Sequence, residues 1–415
     1  MGTNHDVIVV GARCAGAATG MLLARQGLRV LVLDRARHGS DTVSTHALMR
    51  GGVAQLQRWG VLDRVVADAP PVTKVVFHYP GDTTRISLKP AAGVDALYAP
   101  RRDVLDPVLA DAAASAGADV RFGVTVTGLL RDDGGRVTGV ATRDREGRRG
   151  IATAPLTVGA DGVRSVVARD TGAPVIRTAA DSGSAFLYGY WAGLAAEGYE
   201  WFYAPGVSAG MIPTNDGETL VFVGAPPDRM EAVLKAEGRS GAHSTLLESV
   251  SPAAAERVSA AGAPRSRRGF AGLPGYQRQA WGPGWALVGD AGSFEDPLST
   301  HGMTNAFRDA ELLAHAVADI HHGAATEAAA LAGYQRTRDA LSARLFTAVE
   351  SIASYDWSME QLRRLLLELS SAMSEQVEAT QEMCPLELLD ASDGNGGLCN
   401  EHTRPLHAEA TWGSQ

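Results

Sequence analysis

A glycine-rich turn near the start of the chain has the residue types and spacing that bind a phosphorylated ligand. The apolar run Val7–Val10 predicts a buried strand, and Gly16 opens a predicted helix that ends at about Gln26. Gly11 permits the tight strand-to-helix turn, and Gly16 lets helix and strand pack closely. The helix N-terminus then offers free N–H groups to a pyrophosphate. The pattern predicts a β-α-β dinucleotide-binding unit.

An acidic residue at the end of the second strand of this unit indicates the kind of nucleotide. The apolar segment after the helix finishes at Asp34. A carboxylate in that position can accept hydrogen bonds from both hydroxyls of an adenosine ribose. A carboxylate accommodates an unmodified ribose better than a ribose that carries a 2′-phosphate, so we expect FAD or NAD.

One residue departs from the G-x-G-x-x-G pattern. Arg13 replaces the middle glycine, giving GARCAG. Two interpretations remain open: Arg13 contacts the phosphates or lies along the cofactor, or it turns to solvent while the backbone still cradles phosphate. Cys14 in the same turn is interpreted as a small packed residue, not a redox group.

Length and composition restrict the class of protein. The 415 residues are too many for one core, so we expect two domains. A net charge of −9 argues against a nucleic-acid surface. Three cysteines without metal spacing predict a cytoplasmic protein with free thiols. We expect no signal peptide, no integral membrane segment, and a monomer or homodimer.

Three further motifs each lie between a predicted strand and a helix or turn. Gly159–Gly162 follows an apolar strand, and Gly289-Asp290 follows the strand WALV. Pro297–Thr304 precedes the helical segment NAFRDAELLAHAV. In this order, with Arg102 at a helix start, the motifs resemble those of the single-component FAD-dependent aromatic hydroxylases of the p-hydroxybenzoate hydroxylase type. The wider group includes geranylgeranyl reductases and flavin halogenases.

The resemblance implies an α/β fold with a Rossmann-type FAD-binding domain, an inserted α+β substrate domain built on an antiparallel sheet, and C-terminal helices. Local patterns fit this plan. Val72–Leu88 reads as a hairpin, aromatic residues concentrate after residue 180, and a capping-box pattern precedes the segment MEQLRRLLLELSSAM. We expect these limits: 1–71, 98–179 and 279–330 for the FAD-binding domain, 72–97 and 180–278 for the substrate domain, 331–390 for the C-terminal helices, and 391–415 for a flexible tail.

The resemblance also implies the residues that hold a noncovalent FAD. Asp34 would bind the adenosine ribose, Arg102 the pyrophosphate and Asp290 a ribityl hydroxyl. The loop from Thr300 to Thr304 would direct backbone N–H groups at the N1–C2=O edge of the flavin. The full set of expected cofactor contacts is Gly11, Arg13, Cys14, Ala15, Gly16, Asp34, Arg35, Arg102, Val126, Asp161, Gly289, Asp290, Pro297, Gly302, Met303 and Thr304.

The implied reaction is monooxygenation. NAD(P)H reduces the flavin, O2 adds to give a C4a-hydroperoxide, and an apolar, aromatic or polyketide-like small molecule is hydroxylated or epoxidised. A protein group could deprotonate a phenolic substrate. The catalytic candidates are His301 and His46, and His301 is expected to titrate near pH 6.5. Further candidates are Tyr190, Tyr199 and Tyr203, while Trp201 and Phe202 are interpreted as pocket-lining or core residues.

Three alternatives remain. A geranylgeranyl-reductase-like alkene reductase is favoured by Tyr199-Glu200-Trp201-Phe202, which is similar to a Y-x-W-x-F pattern. A flavin-dependent halogenase needs a W-x-W-x-I-P stretch and a nearby lysine. Here Ile212-Pro213 follows AGM, and the lysines Lys74 and Lys89 fall in the predicted hairpin region. A non-enzymatic flavoprotein sensor is the third, although no segment of the sequence resembles a signalling module.

Overall fold

The computed structural model describes residues 5–179 and 183–383. Its strands, in chain order, are β1 (Val7–Val10), β2 (Val30–Asp34), β3 (Lys74–Tyr79), β4 (Asp82–Ser87), β5 (Asp119–Phe122), β6 (Thr125–Arg131), β7 (Val137–Arg143), β8 (Arg149–Thr153), β9 (Leu156–Gly159), β10 (Val175–Thr178), β11 (Ala185–Ala192), β12 (Tyr199–Ala204), β13 (Val207–Pro213), β14 (Glu218–Ala225), β15 (Arg267–Phe270), β16 (Tyr276–Arg278), β17 (Trp281–Gly282), β18 (Trp285–Leu287) and β19 (Ser293–Phe294).

The helices connect and cover these strands. They are α1 (Cys14–Arg25), α2 (Arg50–Arg58), α3 (Leu62–Val66), α4 (Arg102–Ser115), α5 (Val166–Thr171), α6 (Pro227–Val250), α7 (Pro252–Ala260), α8 (Gly302–His321), α9 (Glu327–Ala353) and α10 (Met359–Glu382). The predicted β-α-β unit is confirmed as β1-α1-β2, and the predicted helix start at Arg102 is confirmed as α4.

A six-stranded sheet has the order β17-β18-β9-β1-β2-β5, and its strands are parallel except for β17. β1 lies at the centre: the chain continues from β1 to β2 on one side, and β9 pairs with β1 on the other. The loops after these strands therefore diverge at the carboxyl end of β1. Ligands of open α/β sheets bind in the crevice at such a topological switch point.

Two glycines allow the backbone segments at this crevice to pack in close contact. Gly11 has a φ of +104°, and a Cβ on it would lie 2.5 Å from the carbonyl oxygen of Ala160. A Cβ on Gly16 would lie 1.8 Å from the carbonyl oxygen of Gly11. The first turn of α1 thus packs directly against the loop after β1, as the sequence predicts.

A seven-stranded sheet forms the expected second unit, in the order β15-β11-β14-β13-β12-β3-β4. It is antiparallel except between β12 and β3, which pair in parallel. The hairpin β3-β4 enters from the N-terminal part of the chain and extends the sheet formed by later strands. The domain limits remain a prediction.

The two faces of this sheet differ in what covers them. Alternate residues of β11 and β12 place Tyr190 and Trp201 on one face, packed with apolar residues of α9 and α10. Trp191 and Phe202 lie on the other face against α6 and α7. Phe202 is therefore a core residue behind the sheet, separate from the aromatic face that Tyr188, Tyr190, Tyr199, Trp201 and Tyr203 share.

The expected C-terminal helical region is confirmed as α9 and α10. Ser358 and Gln361 form the predicted capping box, with the Ser358 Oγ accepting from Gln361 N at 3.2 Å. Leu362 and Leu369 of α10 are buried against the seven-stranded sheet. The predicted tail, residues 391–415, lies outside the described residues.

One helix is longer than the sequence pattern predicts. We expect a helix over 229–237, whereas α6 extends from Pro227 to Val250. Pro227 occupies the first turn, where its missing N–H costs nothing. Gly238, with a φ of +66°, bends the segment internally, and this break ended the apparent pattern.

Gly16→Ala is predicted to lower the free energy of unfolding by about 1–3 kcal/mol, because the new Cβ would overlap the Gly11 carbonyl. Gly333→Ala in α9 is the matched control, since the nearest atom to its Cβ would be 3.8 Å away. That variant is expected to gain about 0.5–1 kcal/mol from helix propensity. Urea denaturation measures both, and equal effects would contradict the steric explanation.

Candidate flavin site

The acid at the end of β2 is held by the backbone of the phosphate turn. Asp34 is buried, its Oδ2 accepts from Ala12 N at 2.8 Å, and its Oδ1 accepts from Ala36 N at 2.7 Å. Each carboxylate oxygen retains a second lone pair for a ribose hydroxyl. Arg35, the next residue, is exposed.

Arg13 is half-buried at the N-cap position of α1. Its Nη2 donates to the carbonyl oxygen of Asp41 at 3.5 Å. Its Nη1 is buried without a hydrogen-bond partner among the described residues. A guanidinium nitrogen in this state fits an anionic ligand better than it fits solvent, which favours the interpretation that Arg13 contacts the phosphates.

Arg102, at the start of α4, interacts with the glycine-rich turn through Cys14 and with the turn after β18 through Asp290. Its Nε donates to Asp106 Oδ1 at 3.0 Å. Burial by itself would lower the pKa of Arg102, but its interactions with Asp106, Cys14 and Asp290 raise it. Burial raises the pKa of the Cys14 thiol to about 12, so Cys14 is protonated and packed, as interpreted from the sequence. Asp106 is a site residue that the motif comparison missed.

Asp290 follows β18 on a short turn. Burial raises the pKa of Asp290 to about 6, Arg102 opposes this shift, and Asp309 adds to it. Gly289 N donates to Asp309 Oδ2 at 3.2 Å, and a Cβ on Gly289 would lie 3.1 Å from the Cβ of Ala15. The turn formed by Gly289 and Asp290, called the GD turn below, thus packs against the first turn of α1.

Asp161 lies in the loop after β9, and its two carboxylate oxygens have different surroundings. Its Oδ2 accepts from Val166 N at 2.6 Å and so orders the turn before α5. Its Oδ1 is buried and finds no partner in the described part of the chain. Burial raises the pKa of Asp161. Val126, expected among the cofactor contacts, is buried on β6 in the cluster beneath the six-stranded sheet.

Pro297–His301 forms a tight loop before α8, and Gly302, Met303 and Thr304 are the first residues of that helix. Asp296 fixes its start, accepting from Leu298 N at 2.9 Å and from Ser184 N at 2.6 Å. Thr300 adopts a φ of +51°. Gly302, the first residue of α8, is exposed, and a Cβ there would meet no atom within 4 Å. Met303 and Thr304 are buried. The free N–H groups of α8 therefore begin at an open surface.

His301 lies immediately before α8 and is buried. Its Nε2 is 3.0 Å from Gln376 Oε1 of α10. Burial and the charge of Arg308 lower its pKa to about 3. The expected titration of His301 near pH 6.5 is therefore wrong, because the imidazole is already neutral well below that pH. Its catalytic role stays a prediction.

His46 has a φ of +65° and is fully buried. Its Nε2 lies 2.5 Å from Tyr190 Oη on the aromatic face of the seven-stranded sheet. Burial and the charges of Arg102, Arg101 and Arg268 lower the pKa of His46 to about 3. His46 and Tyr190, predicted from the sequence as separate catalytic candidates, are thus hydrogen-bonded to each other. Tyr199 instead donates to the carbonyl oxygen of Tyr98 at 2.6 Å.

These residues fit FAD. The glycine cradle accepts a backbone-bound pyrophosphate, Arg13 supplies an unpaired donor, and Asp34 can hold an adenosine ribose. The turn that carries Asp290 packs against α8, since a Cβ on Gly289 would lie 3.4 Å from the Cβ of Ala306. The contact of both with the flavin half of the molecule stays a prediction. No group of His, Cys, Asp and Glu suited to a metal ion occurs among the described residues.

The chain belongs to the FAD binding domain family, whose model matches residues 4–349. It is an FAD-dependent oxidoreductase, and the predicted FAD cofactor is confirmed. The chain is 28% identical over 83% of its length to digeranylgeranylglycerophospholipid reductase of Methanocella arvoryzae, covering 86% of that protein. It is also 28% identical over 73% of its length to menaquinone reductase of Mycolicibacterium smegmatis, covering 74% of that protein.

Solved structures share the fold. The flavin-dependent brominase Bmp2 matches with a TM-score of 0.76 and 19% identity, over 92% of this chain and 100% of that one. PqsL, a probable FAD-dependent monooxygenase from Pseudomonas aeruginosa, matches with a TM-score of 0.73 and 21% identity, over 90% of this chain and 100% of that one. No helix in the described ranges is long and apolar enough to cross a membrane.

Asp290→Ala is predicted to lose FAD more readily than Asp161→Ala. No hydrogen bond to the Asp290 carboxylate comes from the described residues, so that group is available to the ligand, whereas Asp161 is engaged by Val166. Losing a hydrogen bond to a charged group costs about 1.5–3 kcal/mol. Flavin content after gel filtration measures the difference. Equal occupancy in both variants and the parent would reject the assignment.

Proposed function

We propose that this protein is a monooxygenase that uses NAD(P)H and O2 to hydroxylate or epoxidise an apolar, aromatic or polyketide-like small molecule. The observation that supports this most is the aromatic face of the seven-stranded sheet, which meets the FAD-binding part through His46 and Tyr190. Buried aromatic walls bind apolar ligands and keep water out.

Bound FAD supplies the redox and oxygen chemistry of this reaction. The protein's part is to hold the cofactor and to position the substrate. Arg13 and the Gly11 turn would hold the pyrophosphate, Asp34 the adenosine ribose and Asp290 the ribityl chain. The free N–H groups at the N-terminus of α8 would stabilise negative charge on the flavin.

The pair of His46 and Tyr190 gives the substrate a polar anchor within an apolar surface. Burial raises the pKa of Tyr190 and lowers that of His46 to about 3, so both groups are neutral at pH 7. A histidine this weakly basic does not remove a phenolic proton efficiently. The pair therefore orients a substrate hydroxyl through hydrogen bonds, and its contribution is positioning.

The proposal is tested with FAD-loaded protein, NADPH or NADH, and a panel of phenols, aromatic polyketides and polyprenyl alkenes. Each mixture is run under labelled O2 and under argon, with halide present and absent. Label in the product, formed only with O2, supports the monooxygenase. A halogenated product, or equal turnover without O2, would overturn it.

An alkene reductase is the second candidate. Tyr199 and Trp201 project from β12 to the same aromatic face, with ring centroids 6.1 Å apart. The reductase names of the relatives from Methanocella arvoryzae and Mycolicibacterium smegmatis support the same candidate. In the assay above, the alkene reductase predicts a product with two more hydrogen atoms than the substrate, formed under argon.

Tyr190→Phe is predicted to retain FAD and to lower product formed per NAD(P)H consumed about tenfold, the value of one hydrogen bond of roughly 1.4 kcal/mol. Tyr334→Phe is the matched control, because it removes another buried hydroxyl, which donates to the carbonyl oxygen of Leu287 at 2.7 Å. Product yield and hydrogen peroxide release are measured together. If both variants are equally coupled, Tyr190 only packs.

A further inference from the structure

A buried carboxylate on α8 reaches the backbone of the GD turn. Asp309 is 1% exposed, and its Oδ2 accepts from Gly289 N at 3.2 Å. Gly289 has a φ of +56°, and a Cβ on it would lie 3.1 Å from the Cβ of Ala15 and 3.4 Å from the Cβ of Ala306. The GD turn is therefore confined between α1 and α8, and Asp309 holds its first N–H group.

The other oxygen of the same carboxylate is occupied by an arginine. Asp309 Oδ1 accepts from Arg308 Nε at 3.1 Å and from Arg308 Nη2 at 2.8 Å, and Arg308 is also 1% exposed. Arg308 Nη1 donates to Asn305 Oδ1 at 3.1 Å, which fixes the guanidinium on α8. The direction of the carboxylate is set in this way, with Oδ1 towards Arg308 and Oδ2 towards the GD turn.

A carboxylate is the group that serves both partners of Asp309. Each of its oxygens accepts, whereas an asparagine has one accepting oxygen for Arg308 or for Gly289 N. Burying the ion pair costs free energy because two charges leave water, so the pair is a weak explanation for stability. The second acceptor, directed at the backbone of a turn, indicates a role in positioning that turn.

The GD turn lies at the ligand-binding edge of the six-stranded sheet. It follows β18, which pairs in parallel with β9, and β9 pairs in parallel with β1, so the loops after all three strands lie at the same edge. Besides burial, the charges of Arg102 and Asp309 shift the pKa of Asp290, in opposite directions. The position of Gly289 therefore determines where its neighbour Asp290 lies relative to Arg102.

We propose that Asp309 is a positioning residue of the cofactor site: held by Arg308, its carboxylate fixes the GD turn in the conformation that binds FAD. This inference does not depend on the reaction that the protein catalyses. It rests on the predicted contact of Asp290 with FAD, which the comparison of Asp290→Ala with Asp161→Ala tests separately. It adds to the site a residue two turns inside α8.

Two double variants isolate the hydrogen bond to Gly289 N. Arg308→Met combined with Asp309→Leu, and Arg308→Met combined with Asp309→Asn, both remove the ion pair and the charge that acts on Asp290. The two substitutions at 309 are similar in size, but only Asp309→Asn keeps an acceptor. The dissociation constant for FAD is expected to be about tenfold higher with Asp309→Leu, the effect of one hydrogen bond. Equal constants would overturn the proposal.

Hydrogen–deuterium exchange of the FAD-loaded protein, resolved to single residues, connects the effect to the GD turn. The Gly289 amide is expected to exchange slowly in the parent and in the double variant with Asp309→Asn, and faster in the one with Asp309→Leu. Equal exchange in the two double variants would overturn the route through this N–H group. Fast exchange of Gly289 in the parent would overturn it as well, and that measurement requires no variant.

The control is another ion pair of α8. Arg58 Nη2 donates to Glu311 Oε2 at 2.6 Å, and Glu311 is buried. Arg58→Met combined with Glu311→Met removes this pair, and FAD affinity and Gly289 exchange are expected to match those of the parent. If this variant weakens FAD binding as much as the one with Asp309→Leu, the effect comes from packing around α8, and the assignment to Asp309 is wrong. Failure of either Asp309 double variant to fold would give Asp309 a role in the whole fold and would overturn the positioning role.

Discussion

The close approach of α1 to the loop after β1 is the constraint on which the rest of the site depends. A Cβ on Gly16 would overlap the carbonyl oxygen of Gly11. A Cβ on Gly11 would in turn overlap the carbonyl oxygen of Ala160. These close contacts bring the loop after β1, the first turn of α1 and the loop after β9 together at one crevice. Arg102 then links parts of the crevice electrostatically through the carboxylates of Asp106 and Asp290.

The second feature is the aromatic face of the seven-stranded sheet, which the chain builds from distant segments. The hairpin β3-β4 adds to strands more than a hundred residues later, and α9 and α10 cover part of the same face. Trp201 and Tyr190 therefore share a buried surface with residues from both ends of the chain. Apolar burial joins the parts, and hydrogen bonds such as that of His46 with Tyr190 and that of Tyr199 with the carbonyl oxygen of Tyr98 add polar contacts between them.

The β-α-β unit, the GD turn and the start of α4 were predictable because each depends on local sequence: glycine at a steric limit, apolar periodicity, an acid at a strand end. These residues predicted FAD or NAD, and the resemblance of the motif order to the FAD-dependent aromatic hydroxylases indicated FAD. The pairing of His46 with Tyr190, and of His301 with Gln376, was not predictable, since each joins elements distant in the chain. Asp106 was missed although it is one helical turn after Arg102, a spacing that signals an i,i+4 ion pair. The titration expected of His301 failed because sequence does not report burial.

Burial shifts the ionisable groups of this site in a common direction, towards the neutral form. It raises the pKa of Asp161 and Asp290 and lowers that of His46 and His301. Arg102 is the exception, kept charged by its acidic neighbours. His46 and His301 are therefore too weakly basic to contribute much by proton abstraction near pH 7. In the function proposed above, they would act as fixed hydrogen-bond partners, and the redox chemistry would belong to the cofactor.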